Sequence, residues 1–553
     1  MLIFLLSIGC STPEQPSVDT GTVVESVPDV VPMQGELLTG LQLARRISLD
    51  VRGKYCSYDE ISQLEADSSS LDALIDVWLQ DPGHVTQLRS IFSTQLLTRV
   101  DTFNVDYQDY YLDDSQSSPF VLSVGEESVQ LMAYIASQDL PWTDVVTADY
   151  TMANSLLLDI WALSPVDRVS TSVSDWVPAR YTDGRPAGGV VMTNGIWWRH
   201  YTTPNNKSRA RSAFLTKFLV CDDHLARTVT SPPTLRVGNT NLEDLVQTEP
   251  SCQACHITLD PVAATLYGFW QFDIHDVLEL ESYHPEREWF GESELNLEMS
   301  WYGKKLSAPV DLGPAIAEDS RFLPCAVENL AKTLWRRDVV AEDAGQLANI
   351  LAYFTEHNIR YSTLFKAILA TPEYQIANGS LDDSRNYSAR KILQAEQIES
   401  VVTDITGFVW TEEWDNSEQS VFSNDEVGFR LLFGGIDGRM TNKKATDPSP
   451  SRQLSVKRYI QLASADVVER VWNDASVSEL FLGKDISEIH SVHEDFATIV
   501  GAIHLRVTGL EITAEQLQLQ QDMFSNIESS FGRKQAWATM LSVMLRNTEA
   551  WIY

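Results

Sequence analysis

From Leu37 onward, apolar residues recur at helical spacing: Leu38, Leu41, Ala44 and Ile47 share one face, with Arg45 and Arg46 beside it. Leu71, Leu74, Ile75, Trp78 and Leu79 follow the steps i, i+3, i+4, i+7, i+8, the stripe of an amphipathic helix, and Asp81-Pro82 stops it. Between these two, Ser57 to Glu60 spells a capping box, in which each of the two side chains accepts a hydrogen bond from the other residue's backbone N–H. The same grammar returns at 326–374 and 499–549. Ala341-Glu342 aligns with Ala514-Glu515, and Val327, Leu330 and Leu334 fall on Val500, Ile503 and Val507. The pattern predicts one helical unit used at least twice: a helix, a turn, a capped second helix and a third helix ending at a breaker. Residues 41–82 read as a shorter copy. The competing explanation is that any two amphipathic helix pairs look alike. In 165–210 and 225–325, Pro, Gly and Asp are frequent, which predicts irregular chain with short strands only.

At 553 residues the chain exceeds one ordinary core, and 44% apolar residues can fill several. The expectation is a mainly α, multi-domain protein divided as a helical region 37–164, an irregular region 165–310, a helical unit 311–380 and a C-terminal helical region 381–553. Asp and Glu outnumber Lys and Arg by 77 to 41, a net charge of −36, which excludes binding to a phosphate backbone. After the first residues no uncharged apolar run reaches membrane-spanning length. Met1 to Gly9 is apolar and is followed by Cys10, the pattern of a bacterial lipoprotein signal over 1–10 with Cys10 as the lipidated residue. An ordinary secretory leader with an incidental cysteine is the alternative, and both readings export the chain. Residues 11–36, with Pro13, Pro16, Pro28 and Pro32, read as an extended tether. The expected location is the periplasm or outer membrane of a Gram-negative bacterium, with the lipid as the only membrane link.

The residues that carry chemistry are Cys252-Gln253-Ala254-Cys255-His256. In an exported protein this spacing lets two thiols add to the two vinyl groups of one haem while the adjacent imidazole ligates the iron. Thr240 to Glu243 is another capping box, predicting a short helix that leads to the first cysteine. Three other readings remain open. Cys221 and His224, with Cys252 and Cys255, would make a tetrahedral zinc set. Cys252 and Cys255 could instead form a redox pair, or the motif could be incidental. With Cys10, Cys252 and Cys255 set aside, Cys56, Cys221 and Cys325 remain, and Cys221 with Cys325 is the preferred disulfide because the two flank the motif.

The stretch CQACHITLDPVAATLYGF, 252–269, is similar to the pattern C-x-x-C-H-x-x-I-D-P-x-G-x-x-L-x-x-F of the cytochrome c-like, multi-domain exported proteins of planctomycetes and myxobacteria. Asp260, Pro261, Leu266 and Phe269 match, while Ala263 stands where that family usually has Gly. LARRISLDVRGKYCSYDEISQLE (43–65), DYTMANSLLLDIWAL (149–163), the stretch 189–221 and DLGPAIAEDSRFLPCAVENL (311–330) resemble its other elements in order, and FRLLFGGIDGR (429–439) extends the likeness loosely. The resemblance implies an exported haem protein without implying a particular reaction. The leading expectation is single-electron transfer to or from a basic or neutral redox partner. The alternatives are a haem oxidoreductase with an open distal site, or a surface binding or scaffold protein with a structural haem or zinc.

For the sixth iron ligand, Met299 and His200 are the first candidates, followed by Met192, His275 and His284. Each has a plainer reading as core filling or as a hydrogen-bonded histidine. Tyr267, Phe269, Trp270 and Phe272 are expected to exclude water from the group. His490-x-x-His493 could share a helical face and bind a metal, against a solvated surface, and Trp197-Trp198 could form a sugar-stacking platform, against a place in the core. No G-x-S-x-G, Walker loop or H-E-x-x-H occurs.

Overall fold

The computed structural model describes residues 29–32, 35–228, 246, 248–273, 276–379, 390–414, 417–423 and 429–553. After strand β1 (Gly35–Leu37), helix α1 (Gly40–Arg52) buries Ala44 and Ile47 and ends at Gly53, whose φ of 69° suits a residue without a Cβ. Helix α2 (Tyr58–Ala66) opens with the predicted capping box, Ser57 and Glu60 each satisfying the other's backbone N–H. Helix α3 (Leu71–Trp78) buries Leu74, Ile75 and Trp78, the predicted stripe. The breaker that ends it starts the next helix: the Asp81 carboxylate accepts from the Gly83 N–H, and Pro82 takes the first position of α4 (Pro82–Leu96), where no N–H is needed. The 21-residue α5 (Ser117–Ser137) lies behind α4 and is buried along most of its length.

The stretch expected to be irregular holds more helix than its composition suggests. A three-stranded antiparallel sheet, in the order β2 (Thr151–Ala153), β4 (Val177–Tyr181), β3 (Leu163–Pro165), is followed by α6 (Asn194–Arg199) and α7 (Arg209–Val220). Then α8 (Pro250–Ala264) runs through the Cys252–His256 motif for 15 residues, with Pro250 at its first turn and Pro261 tolerated inside. The reading of 225–325 as irregular chain is corrected here. The tight hairpin of β5 (Ser300–Trp301) and β6 (Lys304–Lys305) turns at Tyr302 and Gly303, both with positive φ, as this type of turn requires.

The helix–helix–helix order of the first unit recurs in α9 (Phe322–Trp335), α10 (Ala344–Glu356) and α11 (Tyr361–Leu369). After α12 (Ala395–Thr406) and the 24-residue α13 (Pro450–Asn473), it recurs again in α14 (Glu494–Thr508), α15 (Ala514–Phe531) and α16 (Arg533–Leu545). Each third helix gives way to a capped turn. Asp81, Thr371 and Asn547 each accept a backbone N–H, from Gly83, Tyr374 and Glu549. One core runs from Ala44 to Tyr374 and takes in the first three expected divisions, and a second holds residues 393–553 together with Leu49 and Tyr55. The mainly α architecture agrees with the periodicity of the sequence.

Two adjacent arginines of α1 join these parts. Successive helical residues point about 100° apart, so neighbours can serve different partners. The Arg46 guanidinium donates to the carbonyls of Tyr374 (3.1 Å) and Ile376 (2.7 Å), where the 326–374 unit ends. Arg45 donates to those of Val507 (3.0 Å), Glu549 (3.0 Å) and Ala550 (3.0 Å), in the 499–549 unit. One turn later the buried Asp50 receives Lys391 Nζ (2.6 Å), Tyr553 OH (2.6 Å) and Tyr374 OH (3.0 Å). Burial brings the Lys391 ammonium down to about 7, against the pull of Asp50. Arg46→Met removes the donor of two buried carbonyls and should lower unfolding free energy by about 2–5 kcal/mol. Urea unfolding of the variant checks this, and an unchanged midpoint would reject the clamp.

Candidate functional site

Helix α8 places Cys252, Cys255 and His256 at i, i+3 and i+4, so both thiols and the imidazole share one face within about one turn. That face lies at the boundary of the core. The two cysteines are unbonded and partly exposed, the Gln253 and Ala254 between them face solvent, and Leu259 and Asp260 on the following turn are buried. Ile257, beside the histidine, is 75% exposed, unusual for a large apolar residue next to such a motif.

His256 is held from below. Its Nδ1 lies 2.8 Å from Asp260 Oδ1, one turn on in the same helix. Arg209, from the start of α7, grips the same carboxylate with both arms, Nε to Oδ1 at 2.8 Å and Nη2 to Oδ2 at 2.9 Å. Burial opposes the charge on Asp260, yet the bonds from His256 and Arg209 outweigh it and hold this carboxyl below the usual range. An ionised carboxylate only accepts, so the proton of a neutral His256 sits on Nδ1 and the lone pair on Nε2. The residues present therefore fit a covalently attached haem: two unbonded thiols one turn apart, and beside them an imidazole whose metal-binding nitrogen is the unprotonated one.

A second set of contacts anchors the N-terminal half of α8. Arg227 donates to the Ala254 carbonyl (3.4 Å) and to Asp222 (2.5 Å), which also receives Tyr302 OH (2.8 Å). His224 is buried with its Nε2 3.4 Å from Asp222, and among the described residues neither ring nitrogen makes a hydrogen bond. Burial lowers its affinity for a proton, against the pull of Asp222. Next to it, Cys221 at the end of α7 is joined to Cys325 of α9, the pair preferred from sequence. The zinc set fails for this reason: Cys221 has no thiolate to give. Among the described residues no group of three or more His, Cys, Asp or Glu is arranged to hold a metal ion.

The other candidates are placed as follows. Met299 is buried just before β5, a strand packed against α8, and its N–H donates to Glu292. His200 stacks on Phe214 with ring centroids 3.9 Å apart, and its Nε2 donates to the Leu96 carbonyl (3.0 Å). Burial brings its pKa down to about 3. Met192 is buried over Gly188, and the ring nitrogens of His284 meet Glu286 and the Glu279 carbonyl, each at 3.2 Å. His275, Cys10 and the 240–243 capping box lie outside the described residues.

Several readings are corrected. Trp197 and Trp198 are core residues whose indoles donate to the Val191 and Leu280 carbonyls, so neither forms a sugar platform. His490 and His493 lie in the loop before α14, where His493 accepts the Asp495 N–H, and not on a helical face. Tyr267 and Phe269 are buried, but Phe272 is 67% exposed and excludes no water. Arg209 went unread because it reaches Asp260 across 51 residues, whereas the His256–Asp260 pair carries a local signal, the i, i+4 spacing on a helix.

Asp260→Asn should cost about 3 kcal/mol, because it removes the buried carboxylate charge that Arg209 and His256 both bond. Denaturant unfolding of the haem-free chain reads this, and a loss well under half that size would show the pair to be incidental. Replacing Cys221 and Cys325 together by Ala should cost about 2–5 kcal/mol, since the bond closes a loop spanning 104 positions. Thermal unfolding with and without reductant should then differ for the parent chain and coincide for the double variant.

Comparison with protein-family models, with curated proteins and with solved structures found no match to this chain, so its chemistry is argued from the residues just described.

Proposed function

We propose that this protein is an exported c-type cytochrome in which Cys252 and Cys255 would hold one haem through thioether bonds, His256 would bind its iron, and the activity is single-electron transfer. The observation that carries the reading is the single face of α8 on which two unbonded thiols and an oriented imidazole stand within about one turn. The lipoprotein-like start, with Cys10 as the anchor, belongs to the same proposal. When bound, the haem iron would supply a reversible one-electron couple.

The protein's own groups set the conditions. Asp260 fixes the tautomer and plane of His256 by accepting its Nδ1–H, and Arg209 keeps Asp260 ionised and in place. A carboxylate on Nδ1 makes Nε2 a stronger donor, so with haem bound it would favour the oxidised state and lower the reduction potential. Tyr267 and Phe269, buried just beyond α8, and Trp270 stacked on Tyr267 with centroids 5.0 Å apart, form an apolar wall at the end of the helix. The net charge of −36 favours a basic or neutral partner, reached by steering that salt weakens.

A second reading has a specific observation behind it. The His200 Nε2 is spent on a backbone carbonyl, and both nitrogens of His284 are in polar contact. With these two imidazoles engaged, the second reading is a haem oxidoreductase with an open distal position. Produced in a host that matures c-type cytochromes, the chain should keep its haem through denaturing electrophoresis, and Cys252→Ala with Cys255→Ala should abolish this. A folded chain that never acquires haem there would overturn the proposal. Ready binding of carbon monoxide by the reduced protein would select the open-site form, and its absence the electron carrier. Asp260→Asn should raise the midpoint potential in a redox titration.

A further inference from the structure

Far from the cysteine motif in sequence, the second core contains a half-open cavity of about 610 Å³ between the start of α13 and the C-terminal segment 546–552. Pro450, Leu454, Trp551 and Ile552 give it apolar walls. Trp551 is fixed by its indole N–H, which donates to the Leu545 carbonyl at 2.6 Å, and Leu454 is 67% exposed.

The charges around this space invert those of the whole molecule. Arg452, Lys457 and Arg546 line the cavity and no Asp or Glu does, although acids outnumber bases 77 to 41 in the chain. None of the three cations forms an ion pair with a described residue. Arg546 Nε donates to the Ser542 carbonyl, Arg452 Nη2 to that of Leu393, and Lys457 is exposed. Arg452 is only 4% exposed, and its guanidinium packs against Gly434 behind the cavity wall. Pro450 begins a 24-residue helix, so the positive end of its dipole faces the same space.

We propose that this cavity binds an anionic amphiphile: an alkyl chain of medium length bearing one carboxylate or phosphate. Lys457, Arg546 and the helix end take the head, the Arg452 charge behind them adds to the positive field, and the Leu454–Trp551 wall takes the chain. The volume is that of a small-molecule site, and its lining of apolar side chains with a few convergent cations matches such a ligand. The proposal uses no residue of the haem reading and stands or falls apart from it.

Calorimetric titration of the full-length protein with decanoate, decyl phosphate, decanol and inorganic phosphate, all below micelle-forming concentrations, tests it. Decanoate or decyl phosphate should saturate one site, and the tighter of the two identifies the head group. Decanol and inorganic phosphate should each bind at least about tenfold more weakly, as each lacks one half of the recognition. Lys457→Gln combined with Arg546→Gln should weaken the anionic ligand at least about tenfold, with the thermal midpoint unchanged because neither side chain is buried. Leu454→Asp, at an exposed wall position, should weaken it as well. Decanol binding as tightly as decanoate, phosphate binding without a chain, or full affinity in the double variant would each overturn the proposal.

Discussion

A buried guanidinium must find acceptors, and inside a helical protein the carbonyls free to accept lie at the ends of helices. Arg45 and Arg46 meet this constraint by reaching toward two different helical units, and the arrangement of the molecule follows from them. Because the two residues are adjacent, α1 cannot satisfy one unit while releasing the other. The Asp50 cluster adds Lys391 and the tyrosines of both units one turn further along, so a single helix face sets the relation of the two cores. Such a network is costly to break and contributes little beyond an apolar isostere when intact, so what it supplies is a definite arrangement more than stability.

The candidate site depends on this scaffold indirectly. Helix α8 is held by α7 through Arg209, by the turn after α7 through Arg227, and α7 is tied to α9 by a covalent bond. Since α9 opens the 326–374 unit, whose end Arg46 grips, the motif stands on a part of the protein whose position is fixed from both ends. The proposed redox centre would gain from this, since a rigid surround lowers the rearrangement that accompanies each change of charge.

What the sequence makes legible is local. The Ser57–Glu60 cap, the Leu71–Leu79 stripe and the breaker at Asp81-Pro82 are read from spacing alone, because backbone geometry imposes those patterns whatever surrounds them. The cysteines and histidine are legible for the same reason. Their support was not, since the Arg209–Asp260 pair depends on how two helices pack, which no period encodes. The helix through the motif was missed because proline frequency outweighed the fact that Pro250 sits where a helix accepts proline. The tryptophan pair shows the converse: two adjacent aromatics look like a surface device until the small sheet and α5 close over Trp198 and Phe269 packs on Trp197.

The bond between Cys221 and Cys325 closes a loop that contains both motif cysteines, and this sets a problem of assembly. Cys56 takes no part, because burial pushes its thiol up to about 12 and leaves almost no thiolate. With Cys10 set aside as the proposed lipid anchor, the remaining four cysteines can pair in three ways, and only the 221–325 bond, formed alone, spares the two on α8. The contact of α7 with α9 therefore chooses which sulfurs are oxidised. In an oxidising compartment it would have to form before a chance encounter captures Cys252 or Cys255, so the order in which helices meet becomes part of how the site is made.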